Sequence, residues 1–82
     1  MDIGVEISLY PLDADFIPPI QDFIDRVNAH GGLKVVTNSL STQIFGPYRD
    51  VMALLEQEIH PTFERGGKAV FVMKIIGPYT AG

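Results

Sequence analysis

Ile3-Gly4-Val5-Glu6-Ile7-Ser8-Leu9-Tyr10 is the stretch on which the fold turns. Ile3, Val5, Ile7 and Leu9 alternate with Gly4, Glu6, Ser8 and Tyr10, and a period of two places the first set on one face of a strand and the second set on the other. Pro11 stops the run. Downstream, Ile17, Ile20, Phe23, Ile24 and Val27 recur at the three- and four-residue spacing of an amphipathic helix. Asp13 or Asp15 can cap its start, Pro18 and Pro19 are tolerated in its first turn, and His30-Gly31-Gly32 marks its end.

Leu33 to Thr37 reads as a second strand and the segment from about Leu40 through Phe45 as a third, joined as a hairpin by the turn-forming pair Asn38-Ser39. Gly46-Pro47 ends that strand and opens a second helix. Its apolar side is Tyr48, Val51, Met52, Leu55 and Ile59, while Arg49, Asp50, Glu56 and Glu58 are expected to face water. Pro61 disturbs its last turns, and Arg65-Gly66-Gly67 is its exit. Ala69 to Ile76, apolar on both sides, is the last strand. The order strand, helix, strand, strand, helix, strand predicts an α+β domain of the ferredoxin-like βαββαβ type. Its antiparallel four-stranded sheet has the first and third strands in the centre and two helices on one face.

That arrangement leaves the other face of the sheet without helices. By phase it carries Glu6, Ser8 and Lys74 together with Val70, Val72 and Ile76. Leaving three or four such apolar side chains in water forgoes several kcal/mol, comparable with the stability of a small domain. A homo-oligomer, dimer or tetramer, is therefore expected. The 82 residues make a single domain, 1–82, and a chain of this size buries only about 60% of its unfolded surface. With no cysteine, disulfides and thiolate metal sites are excluded and self-association is the remaining reinforcement.

Six basic against ten acidic residues give a net charge of -4, which argues against nucleic acid and anionic membranes as partners. No apolar run approaches the roughly 20 residues of a membrane span, and Met1-Asp2 leads straight into a strand with no basic leader. A cytoplasmic protein is expected.

No nucleophile and base stand at a spacing that implies catalysis, so no enzyme activity and no cofactor are expected. His30 and His60 are helix-end residues suited to the carbonyl end of the dipole. The pairs Gly31-Gly32 and Gly66-Gly67 follow helices and so do not cradle phosphate. Asp13, Asp15, Asp22 and Asp25, and the run Glu56-Gln57-Glu58, read as capping and solvated positions. The residues that ask for an explanation are Glu6, Ser8 and Lys74 on the helix-free face, with Asn38, Ser39, Ser41, Thr42 and Gln43 from the hairpin. One account makes Glu6 and Lys74 a cross-strand ion pair that sets register. The other has Glu6, with nearby hydroxyls and amides, hydrogen-bond a polar heterocycle whose ring lies on apolar side chains.

Val5-Glu6-Ile7-Ser8-Leu9-Tyr10-Pro11-Leu12, Pro19-Ile20-Gln21-Asp22-Phe23-Ile24 and Thr37-Asn38-Ser39-Leu40-Ser41-Thr42-Gln43-Ile44-Phe45-Gly46 resemble the YkoF-related, thiamine-binding protein family over nearly the whole chain. The first and third segments are the specific ones. The resemblance implies a ferredoxin-like domain without catalytic activity, dimers or tetramers built through the sheets, and binding of thiamine or its hydroxymethylpyrimidine portion. Some relatives carry two such domains in tandem, so a site shared between domains would here be shared between subunits. On motif match the binding role falls to Glu6, Ser8, Asn38, Ser41 and Thr42, with Tyr10 and Gln43 as further candidates. The alternative is a structural or regulatory homo-oligomeric assembly protein with no small-molecule ligand.

Overall fold

A computed structural model describes residues 1–81. The elements run β1 (Asp2–Pro11), α1 (Ile17–Ala29), β2 (Lys34–Thr37), β3 (Thr42–Pro47), α2 (Tyr48–Gly66) and β4 (Ala69–Ile76). All sheet pairings are antiparallel, and the strand order β2-β3-β1-β4 puts β1 and β3 in the centre. This is the ferredoxin-like arrangement that the element order predicts. The alternation in β1 decides the layering: Ile3, Val5, Ile7 and Leu9 are all buried with Ile44 of β3, Phe23 and Val27 of α1, and Val51, Leu54 and Leu55 of α2. That single core lies between the sheet and the two helices.

Strand limits differ from the sequence expectation by a few residues. Pro11 is still within β1, opposite Ala69 on the edge strand β4, where a missing N–H matters least. Leu33 precedes β2 rather than starting it, β3 begins at Thr42 rather than near Leu40, and β3 runs on to Pro47, so that α2 starts at Tyr48 without an intervening loop. Gly46 sits under Leu33, whose side chain occupies the place a Cβ would take. Gly46→Ala should therefore cost about 1 kcal/mol, seen as a drop of a few degrees in the thermal midpoint.

Asp13 and Asp15 do not cap α1. The N-cap residue is Phe16, with no side-chain cap bond; Asp13 Oδ1 instead accepts the Asp15 N–H at 3.0 Å within the loop. Pro18 and Pro19, which lack N–H donors, fall in the first turn and reduce the need for a cap. Gly32, at φ +82°, supplies the left-handed residue after α1. α2 continues through Pro61 as one helix of 19 residues, because its packing outlasts the loss of one backbone bond. Tyr48 is exposed rather than part of the apolar side, which instead includes Leu54.

The largest departure is at the helix–helix contact. Glu58 does not face water: its side chain is 14% exposed and accepts from Arg26 Nη1 on Oε1 at 2.7 Å, while Oε2 lies 2.6 Å from His30 Nε2. Arg26 also donates to the Glu58 carbonyl, to Thr62 Oγ1 and to Asp22. His30 is thus tied to a carboxylate across the helix pair instead of resting on the dipole of its own helix. His60 pairs with Glu64 one turn along α2. Burial pushes the Glu58 carboxyl up, but the hydrogen bonds from His30 and Arg26 and their positive charge outweigh it and hold the group below its ordinary value.

Candidate functional site

Register places the polar residues of β1. Glu6 stands opposite Gln43 on one side and Lys74 on the other, and Ser8 stands opposite Val72. Because the alternate residues of β1 are buried under the helices, Glu6, Ser8 and Tyr10 occupy the helix-free face. Val72 and Ile76 share that face and are more than half exposed, and Val70 is only slightly less so. The Glu6–Lys74 separation is 3.9 Å, with the lysine side chain 85% exposed. An ion pair of that length in water contributes little, so the register does not depend on it and the Glu6 carboxylate is left largely uncompensated.

The β2–β3 connection turns back over the end of β1. Asn38 Oδ1 accepts from the N–H groups of Leu40 and Ser41 at 2.8 and 3.0 Å, an Asx-type turn that spends the side-chain oxygen on loop shape. Ser8 Oγ donates to the Leu40 carbonyl at 3.2 Å, and Ser41 Oγ donates to Glu6 Oε2 at 3.3 Å. The loop is therefore moored to β1 by two hydroxyls.

Between this loop, the end of β1 and the start of α1 lies a cleft of about 380 Å³, within the roughly 300–1,000 Å³ of small-molecule sites. Its apolar lining comes from Ile7, Leu9, Phe16, Ile20, Phe23 and Ile24, and its polar lining includes Ser8, Tyr10, Asn38, Ser41 and Thr42. The polar groups suit hydrogen bonding at the margin of a ring, and the apolar ones suit contact with its faces. Glu6 and Gln43 do not line this cleft. They belong to a second, more open depression on the helix-free face, bounded by Phe45, Lys74, Ile76 and Tyr79.

The seven residues singled out from the sequence are thus divided. Ser8, Tyr10, Asn38, Ser41 and Thr42 meet at the cleft, Glu6 and Gln43 meet beside it, and the Ser41–Glu6 hydrogen bond joins the two groups. Thr42 does not share the helix-free face with Gln43, since neighbouring residues of a strand point oppositely. It is buried, opposite Ile7, and points toward the helical layer. Sequence reasoning missed Phe16, Leu40 and Tyr79. Phe16 lies outside the helix and strand periods and had no pattern to mark it, while Leu40, expected at the start of the third strand, falls in the loop before it and lines the cleft. Tyr79 belongs to the tail, which folds back through its N–H to the Asp2 carbonyl at 2.8 Å and sets its ring 6.0 Å from Phe45.

Among the described residues there is no group of three or more His, Cys, Asp or Glu side chains placed to hold a metal ion, and no helix is long and apolar enough to cross a membrane.

The fold recurs in solved structures of low sequence identity. A Streptococcus pneumoniae protein superposes with a TM-score of 0.88 at 16% identity, covering 96% of this chain and 89% of its own. A Thermotoga maritima protein, provisionally described as a thiamine biosynthesis or salvage protein, superposes with a TM-score of 0.71 at 18% identity, covering 92% of this chain and 82% of its own. A domain of unknown function from Bacillus cereus gives 0.69 at 12% identity, covering 93% and 75%. No curated protein matches the chain. The family model for the YkoF-related family matches residues 2–74, nearly the whole domain, and the chain belongs to that family.

Proposed function

We propose that this domain is a non-catalytic binding protein for thiamine or its hydroxymethylpyrimidine portion, working as a homo-oligomer. The observation that carries the reading is the cleft beside β1: an apolar floor, a rim of hydroxyls and an amide held by an ordered loop, and a weakly compensated carboxylate hydrogen-bonded to that rim. Such a combination suits a flat, polar heterocycle. The Thermotoga maritima relative, described in connection with thiamine biosynthesis or salvage, supports the choice of ligand class. Membership of the family agrees with it.

Isothermal titration with thiamine should show saturable binding, and Glu6→Gln should weaken it about tenfold, or ~1.4 kcal/mol, as expected for loss of a charge-assisted contact. No heat at millimolar thiamine would defeat the reading.

The assembly part rests on β4. Val70, Val72, Met73, Ile75 and Ile76 are all exposed, so this edge strand is apolar on both faces. The other edge, β2, has only four residues, one of them Lys34. Short, charged edges resist pairing and long apolar ones invite it. Should thiamine fail to bind, this same strand favours the purely structural assembly role.

A further inference from the structure

We infer that the β2–β3 connection, residues 38–41, is a lid over the cleft, held open by two serine hydroxyls and closed onto the ligand by Leu40. This rests on the proposed function and adds the way that site is gated.

The connection is built as one piece. The β2–β3 ladder ends at the pair Thr37–Thr42. Beyond it the Asn38 N–H donates to the Ser41 carbonyl at 3.1 Å, and Asn38 Oδ1 accepts from the N–H groups of Leu40 and Ser41. Those three bonds lie within the segment and travel with it. Its side-chain ties to β1 are different in kind: Ser8 Oγ donates to the Leu40 carbonyl at 3.2 Å and Ser41 Oγ to Glu6 Oε2 at 3.3 Å. Both are long for bonds donated by a hydroxyl, and bonds near the surface exchange for bonds to water at small net cost.

Position gives these ties a direction. Glu6 and Ser8 belong to the helix-free face of β1, whereas Ile7, Leu9, Ile20 and Phe23, which floor the cleft, belong to the helical side. The two hydroxyls therefore hold the segment back from α1. There is room for it to move, because β1 pairs with β3 only as far as Ile7 while running on to Pro11 against β4. Leu40 is what closure buries. It lines the cleft yet is 85% exposed, and Phe16 at the start of α1 is 49% exposed. A flat ring lying on the apolar floor would keep its outer face in water. Swinging Leu40 over that face removes apolar surface of both from water, a gain that the filled cleft offers more fully than the empty one. Ligand thus shifts the segment from open to closed.

The chain has no tryptophan, so Leu40→Trp places a single reporter on the lid. In the full chain its fluorescence should be freely quenched by acrylamide, and saturating thiamine should lower the quenching constant at least twofold. Adding Ser8→Ala and Ser41→Ala to that variant should lower the constant with no ligand present, a change that contact between indole and thiamine cannot produce. In stopped flow, Leu40→Ala should raise the thiamine dissociation rate about tenfold and leave the association rate within about threefold. Quenching that the two serine substitutions leave unchanged or increase would overturn the hydroxyl-held lid. Thiamine that binds by calorimetry without shielding the indole, or a dissociation rate unmoved in Leu40→Ala, would overturn the closure; in each case the binding function stands. Failure of thiamine to bind the wild type by calorimetry would remove the proposed function and the gating together. Ser8, Leu40 and Ser41 lie outside the core, so the variants' thermal midpoints should stay near that of the wild type, which separates a change in the lid from a loss of fold.

Discussion

Glu58→Ala should lower the thermal midpoint by ~15 °C, equivalent to about 3 kcal/mol in a domain of this size. The carboxylate is 14% exposed and joins both helices, taking Arg26 on one oxygen and His30 on the other. Truncation leaves the Arg26 guanidinium, 17% exposed, with no acid on the α2 side. An incompletely paired charge held away from water is what makes such losses large. Glu58→Gln, which keeps the volume and one acceptor, should lose about half as much. Differential scanning calorimetry of the two variants checks both the size and the order of the effects, and a shift below ~3 °C for alanine would show that the cluster is not structural.

The same carboxylate sets an acid limit. Its pKa is held below the ordinary value of 4.5 in the folded state, so the folded chain binds its proton less readily than the unfolded chain. The stabilisation is complete above the unfolded value and is lost as the pH falls through the depressed folded value. Wild-type stability should therefore fall on acidification below about 4.5, and Glu58→Gln should flatten that part of the profile.

On the assembly proposed above, Val72→Glu should convert the oligomer to monomers. Val72 lies opposite Ser8 on the helix-free face and is 53% exposed within one chain, so the monomer has no packing to lose. A carboxylate there would have to be desolvated at any sheet-to-sheet contact, next to Glu6 two residues along the neighbouring strand. The dissociation constant should rise by at least ~100-fold, near 3 kcal/mol. Sedimentation velocity at micromolar concentration reads the change directly, with Glu56→Lys on the outer face of α2 as the control that leaves the mass unaltered. A wild-type protein that sediments as a monomer throughout, or a variant that stays assembled, would contradict the role given to this face.

The layering was legible in the sequence because it is written in local periods. Alternation in residues 3–10 and the spacing of Phe23 and Val27 each select one buried face, and the element order leaves few topologies. The segments 5–12 and 37–46 likewise pointed to the family whose model spans residues 2–74. The division of the site was not legible. Thr42 and Gln43 are adjacent in the chain yet serve opposite faces, and which one turns inward depends on pairing with Ile7.

Sequence alone determined, then, that Glu6 and Ser8 leave the core face, since a strand admits only two directions for a side chain. Tertiary structure alone decided that Ser41 would reach Glu6 and that Glu58 would meet Arg26 and His30. Those pairs are separated by 35, 32 and 28 residues, and contacts at such range follow from how the elements pack, which no local period encodes.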